Sequence, residues 1–191
     1  TMTATEKAAI GTYKGTAVIT GGNMIGATYG VYTTAGTTTI TGGTITAVGG
    51  YLDSGEEAGI GAYIGKGLIV EGGEDIIAGT LTIGSWAEGD ADSPSTTVPS
   101  IEGSIEGVRH ESGTFNFYDG VLIGLENKAI IGRVTQTPAS YTVNKVNDGT
   151  KQTATLVYAV ATTTIGNTTT SYTTIQAAID AAGTSEATVD L

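Results

Sequence analysis

The sequence predicts an all-β protein folded as a parallel solenoid, and three observations support this fold class. Residues 37–47 read TTTITGGTITA, in which β-branched residues that favour strands flank a Gly-Gly corner. The same phrase occurs earlier as TAVITGGNMIG, and Gly21 and Gly42 are 21 residues apart. With 30 Gly, frequent Thr and only 14% charged residues, the composition suits short strands joined by tight corners. A period of this length is typical of a solenoid whose coils stack about 4.8 Å apart.

Charge and cysteine content exclude several classes of function. The formal net charge is −11 with only eight Lys and Arg, so nucleic acid and anionic membrane surfaces are poor partners. The absence of Cys excludes a disulfide scaffold and a thiolate metal site. No apolar run approaches the roughly 18 residues of a membrane span, so we expect no membrane insertion. No leader sequence is visible, and we expect the chain to be a segment of a longer protein.

The first two coils are predicted from the alternation of inward and outward residues. Residues 1–10 are interpreted as either a short helical turn or a first edge strand. In the first full coil Ala17, Ile19 and Met24 point inward, and one coil later Thr38, Ile40 and Ile45 repeat that set. Because like residues stack on like in a parallel solenoid, we expect Ile19 to lie beside Ile40.

An insertion then interrupts the period. A loop is expected around residues 53–57, after which AGIGAYI matches the earlier TYGVY, with Gly61 and Tyr63 at the positions of Gly30 and Tyr32. The phrase GLIVEGGEDII is interpreted as the third copy of the strand–corner–strand unit. Leu68 and Val70 are therefore expected in the places of Thr38 and Ile40, and Leu81 and Ile83 in a further strand.

Residues 85–100 are polar, acidic and contain two prolines, which predicts a surface loop. Glu88, Asp90 and Asp92 alternate within it, and oxygen ligands at alternate positions make a weak calcium candidate. The remaining ligands of a calcium-loop motif are missing, so a solvated acidic loop is the simpler interpretation. Trp86 is either a plug under this loop or a platform for stacking a sugar.

The end of the chain differs from the repeats. Residues 101–107 re-enter the pattern, and Phe115 and Phe117 take the inward positions of a fifth copy. Two strand-like runs joined by Asn-Asp-Gly predict a hairpin, followed by a Thr-rich link over residues 162–171. Residues 172–182 predict one amphipathic helix, with Thr173 or Thr174 as N-cap and Gly183 at the C-cap.

We therefore divide the chain into three parts. Residues 1–134 form the β-helix body, residues 135–171 the hairpin and linker, and residues 172–191 a helix and strand that open or cap a next unit.

The phrases GTFNFYDGVLIG, AIIGRVT, YTV…DGT…ATL and YTTIQAAIDAA together resemble repeat units of very large cell-surface proteins of Gram-positive gut bacteria. Those repeats are similar to the pectate-lyase-like right-handed parallel β-helix, in which an amphipathic helix caps the open end of the first coil. The resemblance implies a structural or adhesive role outside the cell, at the cell surface or cell wall. It also implies neighbouring copies of the same protein, or host or cell-wall glycans, as partners.

Pectate-lyase-like enzymes bind calcium through aspartates and use a basic residue as proton acceptor, and no comparable set converges in this sequence. Arg109, His110 and Glu111 come nearest to an acid–base cluster and are interpreted as a polar turn. The sequence therefore predicts a non-enzymatic surface repeat, with head-to-tail assembly as an expectation, no cofactor, and calcium as the only ion considered. The alternative is a carbohydrate-binding or lyase-like β-helix that contacts its glycan through Trp86.

Overall fold

The computed structural model describes residues 1–5, 7–49, 59–65, 68–69, 76–87, 89–90, 92–166, 168–183 and 187–190, with backbone alone at 68–69 and 76–77. Its described strands up to residue 131 are β1 (Met2–Thr3), β2 (Ala8–Thr12), β3 (Thr16–Ile19), β4 (Asn23–Gly26), β5 (Tyr29–Thr33), β6 (Thr37–Ile40), β7 (Thr44–Ala47), β8 (Ile60–Ile64), β9 (Leu68–Ile69), β10 (Ile76–Ile77), β11 (Thr80–Ile83), β12 (Ser100–Gly103), β13 (Glu106–His110), β14 (Thr114–Phe117), β15 (Val121–Leu125) and β16 (Ile130–Ile131).

These strands form three parallel sheets, and the chain passes through the three sheets in succession. Sheet 1 contains β1, β4, β7, β12 and β15; sheet 2 contains β2, β5, β8, β13 and β16; and sheet 3 contains β3, β6, β11 and β14. Apart from the β9–β10 pair, each strand belongs to a different sheet from the one before it. The protein is therefore all-β with parallel sheets, and of the two interpretations for residues 1–10 the edge strand is the one observed.

Strand register confirms the expected pairing of like residues. Ile19 pairs with Ile40, Ile40 with Ile83, and Ile83 with Phe117 along sheet 3. Sheet 1 aligns Met24, Ile45, Ile101 and Leu122 in the same way, and sheet 2 aligns Val31, Ala62, Val108 and Ile130. All of these side chains belong to one buried cluster, so the core is built from columns of apolar residues that run across the strands.

Glycines set how closely sheet 2 approaches sheet 1. A Cβ placed on Gly30 would lie 2.4 Å from Ile45 Cγ2, and one on Gly61 would lie 2.8 Å from Ile101 Cγ2. Neither distance leaves room for a methyl group against a fixed core side chain. Both glycines lie within strands, so the recurrence of Gly30 and Gly61 is a packing requirement and not a turn preference.

The prediction for the third repeat is wrong. Leu81 and Ile83 pair with Thr38 and Ile40, in the places that the sequence assigned to Leu68 and Val70. Leu68 lies in β9, which pairs antiparallel with β10 outside the three sheets, and Val70 lies outside the described residues. The error has a physical origin, because alternating apolar residues around Gly-Gly are compatible with a hairpin as well as with a solenoid corner. Phe115 and Phe117 consequently lie in the fourth strand of sheet 3, one repeat earlier than expected.

The C-terminal part is antiparallel. It contains β17 (Tyr141–Asn147), β18 (Lys151–Tyr158), β19 (Ala161–Ile165), β20 (Thr168–Tyr172), α1 (Ile175–Ala182) and β21 (Ala187–Asp190). The predicted hairpin is present as β17 and β18, and β18 also pairs antiparallel with β15. Gln152, Ala154 and Leu156 alternate as buried residues along β18, so the hairpin covers the C-terminal end of sheet 1.

The Thr-rich segment is ordered in a way that the sequence analysis missed. Residues 162–165 and 168–171 lie in the antiparallel pair β19–β20, where a link was expected, and β21 pairs with the other edge of β19. Thr favours strands through its branched Cβ, so a run of Thr is compatible with an exposed hairpin as well as with a polar link.

The predicted helix is confirmed, with a start three residues later than expected. Thr174 accepts a hydrogen bond from Ala177 N at 3.1 Å as N-cap, and Gly183 follows the last turn. Of the expected apolar face Ala178 is fully buried, whereas Ile175 and Ile179 remain 46% and 49% exposed. Within the described residues, no helix is long and apolar enough to cross a membrane.

Candidate functional site

The face of sheet 2 that points away from the core carries a tyrosine ladder, which we define as Tyr13, Tyr29, Tyr32 and Tyr63. Tyr32 pairs in register with Tyr63, and their rings stack at 5.0 Å between centroids and 19° between planes. Tyr29 lies 5.1 Å from Tyr32 and 5.2 Å from Tyr63, and Tyr13 lies 5.6 Å from Tyr32. Tyr32 and Tyr63 are stacked and the other pairs are tilted, and these ring contacts stabilise the repeats against each other.

Charged residues continue this face on the next strand, β13. Arg109 pairs with Tyr63 in the strand register, and its guanidinium donates two hydrogen bonds of 2.6 Å to the carboxylate of Glu106. The Glu106 side chain is buried, and the second carboxylate, Glu111, lies 4.0 Å from Arg109. Tyr63 donates its hydroxyl to Glu111 at 2.9 Å. The ladder and the carboxylates are therefore joined into one network through Tyr63.

Protonation in this network is governed by burial. Burial raises the pKa of the Glu106 carboxyl, while the ammonium of Lys128 opposes the rise. The two-pronged contact with Arg109 opposes it further, because a guanidinium favours the carboxylate form. Burial also raises the pKa of the Tyr63 hydroxyl, and its hydrogen bond to Glu111 acts in the same direction. Tyr63 is therefore held as the neutral hydroxyl and acts as a hydrogen-bond donor.

Arg109 and His110 belong to strand β13, so the predicted polar turn is wrong at these two positions. The His110 Nδ1 atom lies 2.6 Å from the carbonyl oxygen of Arg133, and Nε2 lies 3.1 Å from that of Gly113. Both ring nitrogens thus face backbone oxygens. A general base needs a nitrogen that can reach the substrate's proton, and this arrangement offers none.

The predicted calcium candidate lies in the loop between β11 and β12. Glu88 falls outside the described residues, while Asp90 and Asp92 are both exposed. Asp90 Oδ2 accepts a hydrogen bond from Ala87 N at 2.8 Å. Within the part of the chain that the structure describes, no three His, Cys, Asp or Glu side chains are grouped so that they could hold a metal ion. The calcium site remains a prediction from sequence.

Trp86, the predicted sugar contact, is half-buried beside the same loop. Its Nε1 donates to the carbonyl of Asp92, and its ring meets Tyr141 edge-on at 5.0 Å between centroids. Tyr141 in turn contacts Tyr158 at 5.7 Å, and the Tyr158 side chain is 62% exposed. The contact ties the loop to the hairpin and leaves an aromatic cluster open to solvent at one edge.

The sequence analysis did not identify Glu106 or the ladder as a site. Strand pairing places Glu106 beside Ile60 and Arg109 beside Tyr63, so the phrase EGVRH occupies the same positions as IGAYI. Aligning those two phrases on Gly61 and Gly107 would have placed Arg109 beside Tyr63 and Glu106 at the buried position of Ile60.

No family model matches the chain, and neither a curated protein nor a solved structure matches it.

Proposed function

We propose that the chain is a right-handed parallel β-helix and serves as a non-enzymatic structural repeat of an extracellular bacterial surface protein. The proposal includes an adhesive role at the cell surface, with neighbouring copies of the same protein as partners. A rod of stacked strands is stiff and resists proteolysis because each backbone segment is hydrogen-bonded to the repeats on both sides.

The observation that carries this proposal is the in-register column Ile19–Ile40–Ile83–Phe117. A chain that returns to the same sheet in parallel after visiting two others winds around one axis. Connections between parallel strands of one sheet are right-handed in about 98% of cases, which supports the right-handed form. The tyrosine ladder adds a second column along the same direction outside the core.

The polar network supports a structural role over a catalytic one. Glu106 and Arg109 bind each other, Tyr63 binds Glu111, and His110 binds backbone. Groups that satisfy one another in this way strengthen the stack and leave little capacity for a substrate.

Limited proteolysis of the isolated chain at low protein concentration tests the proposal, combined with an absorbance assay for the double bond that a polysaccharide lyase creates. We expect the strands of the parallel body to resist cleavage, and we expect no turnover of acidic polysaccharide. Rapid cleavage within the strands of the body would contradict the structural proposal, and measurable lyase activity would contradict the non-enzymatic one. Detection of the protein in the cell-wall fraction of its source, rather than in the cytoplasm, tests the proposed location.

The second candidate function is glycan binding at Trp86, and the exposed cluster Trp86–Tyr141–Tyr158 favours it. Partly exposed aromatic rings can stack against the apolar face of a sugar. A glycan array tests this candidate with Trp86→Ala. Tyr13→Ala serves as the matched control, because Tyr13 is an exposed aromatic residue that follows β2, far from Trp86 in the sequence. Binding that is lost only in Trp86→Ala would establish the site, and wild-type protein that binds no glycan would eliminate it.

A further inference from the structure

The two ends of the parallel stack differ in what covers them. At the C-terminal end the hairpin β17–β18 pairs with β15 and buries Ala154 and Leu156 against the core. At the N-terminal end β1, β2 and β3 are the edge strands of their three sheets, and no described strand pairs with their outer edges. Unpaired strand edges present backbone hydrogen-bonding groups to which another chain can bind.

The N-terminal end also carries a shallow depression of about 400 Å³. Half of its lining is apolar, from Met2, Ile10, Val18, Ile19 and Met24, and the other half is polar or glycine. Val18 is 62% exposed and Met2 is 51% exposed, although both belong to strands. Exposed apolar side chains grouped around a depression mark a contact surface more often than a solvated one.

A matching surface lies at the other end of the same chain. On α1 the side chains of Ile175 and Ile179 are about half exposed, whereas Ala178 already packs against the terminal sheet, where Thr163 Oγ1 donates to its carbonyl oxygen at 2.8 Å. The helix therefore presents two isoleucines that no described element covers. An amphipathic helix with such a stripe fits a shallow apolar groove.

The charges of the two surfaces are complementary. Lys7 and Lys14 are exposed on either side of β2 at the N-terminal end. Asp180 on α1 and Asp190 on β21 are exposed at the C-terminal end, and the sequence has no Lys or Arg after Lys151. Opposite charges around an apolar contact guide association and fix its orientation.

We propose that the α1 face of one copy docks into the N-terminal depression of a second copy of this chain. This inference rests on the proposed function, since it identifies the neighbouring copy and the surfaces through which it binds. The two surfaces are different and lie at opposite ends of the stack, so the contact is heterologous and leaves a free end on each partner. Repeated contacts of that kind produce open filaments.

Two variants test this docking by sedimentation velocity. Val18→Asp places a negative charge in the depression, and Ile179→Asp places one on the helix face; both sites are solvent-exposed, so the fold is preserved. Val48→Asp is the matched control, because Val48 is an equally exposed valine, 60% against 62%. We expect wild-type and Val48→Asp chains to associate as concentration rises, and each of the other two variants alone to associate at least about tenfold more weakly.

Mixing the two defective variants gives the decisive result. Ile179→Asp retains an intact depression and Val18→Asp retains an intact helix face, so an equimolar mixture should form a dimer that grows no further. Wild-type protein that stays monomeric up to about 1 mM would overturn the docking. Association that neither variant weakens, or a mixture that stays monomeric, would overturn it as well. Because resistance to protease is measured on the monomer at low concentration, failure of the docking and failure of the proposed function are distinguishable.

Discussion

The parallel body and the antiparallel C-terminal part are both rich in β-structure, yet they are held together in different ways. In the body, Ile40, Ile83 and Phe117 are fully buried in a column shared by several repeats. In the C-terminal part, Ile165, Ile175 and Ile179 are each more than 40% exposed, and Ala178 is the buried contact of the helix. Stability in the body is therefore spread along the axis, whereas the terminal sheet depends on local hydrogen bonds and one helix cap.

The largest expected difference between the regions comes from truncating a core side chain. Phe117→Ala removes a fully buried ring from the sheet 3 column and should lower the free energy of unfolding by about 3–5 kcal/mol. Ile179→Ala serves as the control in the C-terminal part and should cost less than about 0.5 kcal/mol in monomeric protein. Urea denaturation at low protein concentration measures both, and equal losses would remove the contrast between the two regions.

Arg109→Ala should destabilise the body by about 3 kcal/mol at pH 8, because it leaves the buried Glu106 carboxylate without its guanidinium partner. Burial then raises the native-state pKa of Glu106 above its value in the unfolded chain, so the native state keeps a proton that the unfolded state releases. Stability from this group is present at low pH and is lost as pH rises, so the deficit relative to wild type should be smaller at pH 5 than at pH 8.

The double variant Glu106→Gln with Arg109→Ala controls for the titration. It has no buried carboxyl at position 106, so the cost of Arg109→Ala measured against Glu106→Gln alone should not change between pH 5 and pH 8. Lys151→Ala, which breaks the more exposed ion pair with Glu102, should cost no more than about 1 kcal/mol. A deficit of Arg109→Ala that stayed constant with pH would show that Glu106 is not the titrating group.

A single methyl group at Gly61 tests the close approach of sheets 1 and 2. Gly61→Ala would bring Cβ within 2.8 Å of Ile101 Cγ2 and 2.6 Å of Gly107 O, so we expect a loss of about 1–3 kcal/mol. Gly21→Ala adds the same methyl group at a corner where nothing lies within 4 Å, and it should leave the melting temperature nearly unchanged. Similar thermal denaturation curves for the two variants would mean that the sheets separate easily.

The smallest effect is expected in the terminal sheet. Thr174→Ala removes the N-cap of α1 and should cost about 1 kcal/mol. Because the helix packs on β19, β20 and β21, hydrogen exchange should accelerate in α1 and these three strands and stay unchanged in the parallel body. Thr173→Ala is the neighbouring control, since Thr174 is the residue that caps the helix. Faster exchange throughout the body would show that the two regions unfold together.

The amino-acid sequence by itself determined the all-β class with parallel strands, the pairing of Ile19 with Ile40, the hairpin and the capped helix. These features depend on the alternation of apolar and polar residues, on branched side chains and on turn residues. All of these signals lie in residues that are close together in the sequence. It could not determine which of several similar phrases stacks next, and so it placed Leu68 where Leu81 lies. Strand–Gly-Gly–strand patterns are compatible with both a hairpin and a repeat corner, and packing against the rest of the core decides which of the two forms.

Only the tertiary structure brought Glu106, Arg109, Tyr63 and Glu111 together, because their contacts join strands up to 48 residues apart. The same is true of the ladder, whose rings come from successive repeats. Stacking register converts residues that are distant along the chain into neighbours, and register is set by the packing of whole sheets rather than by any local preference.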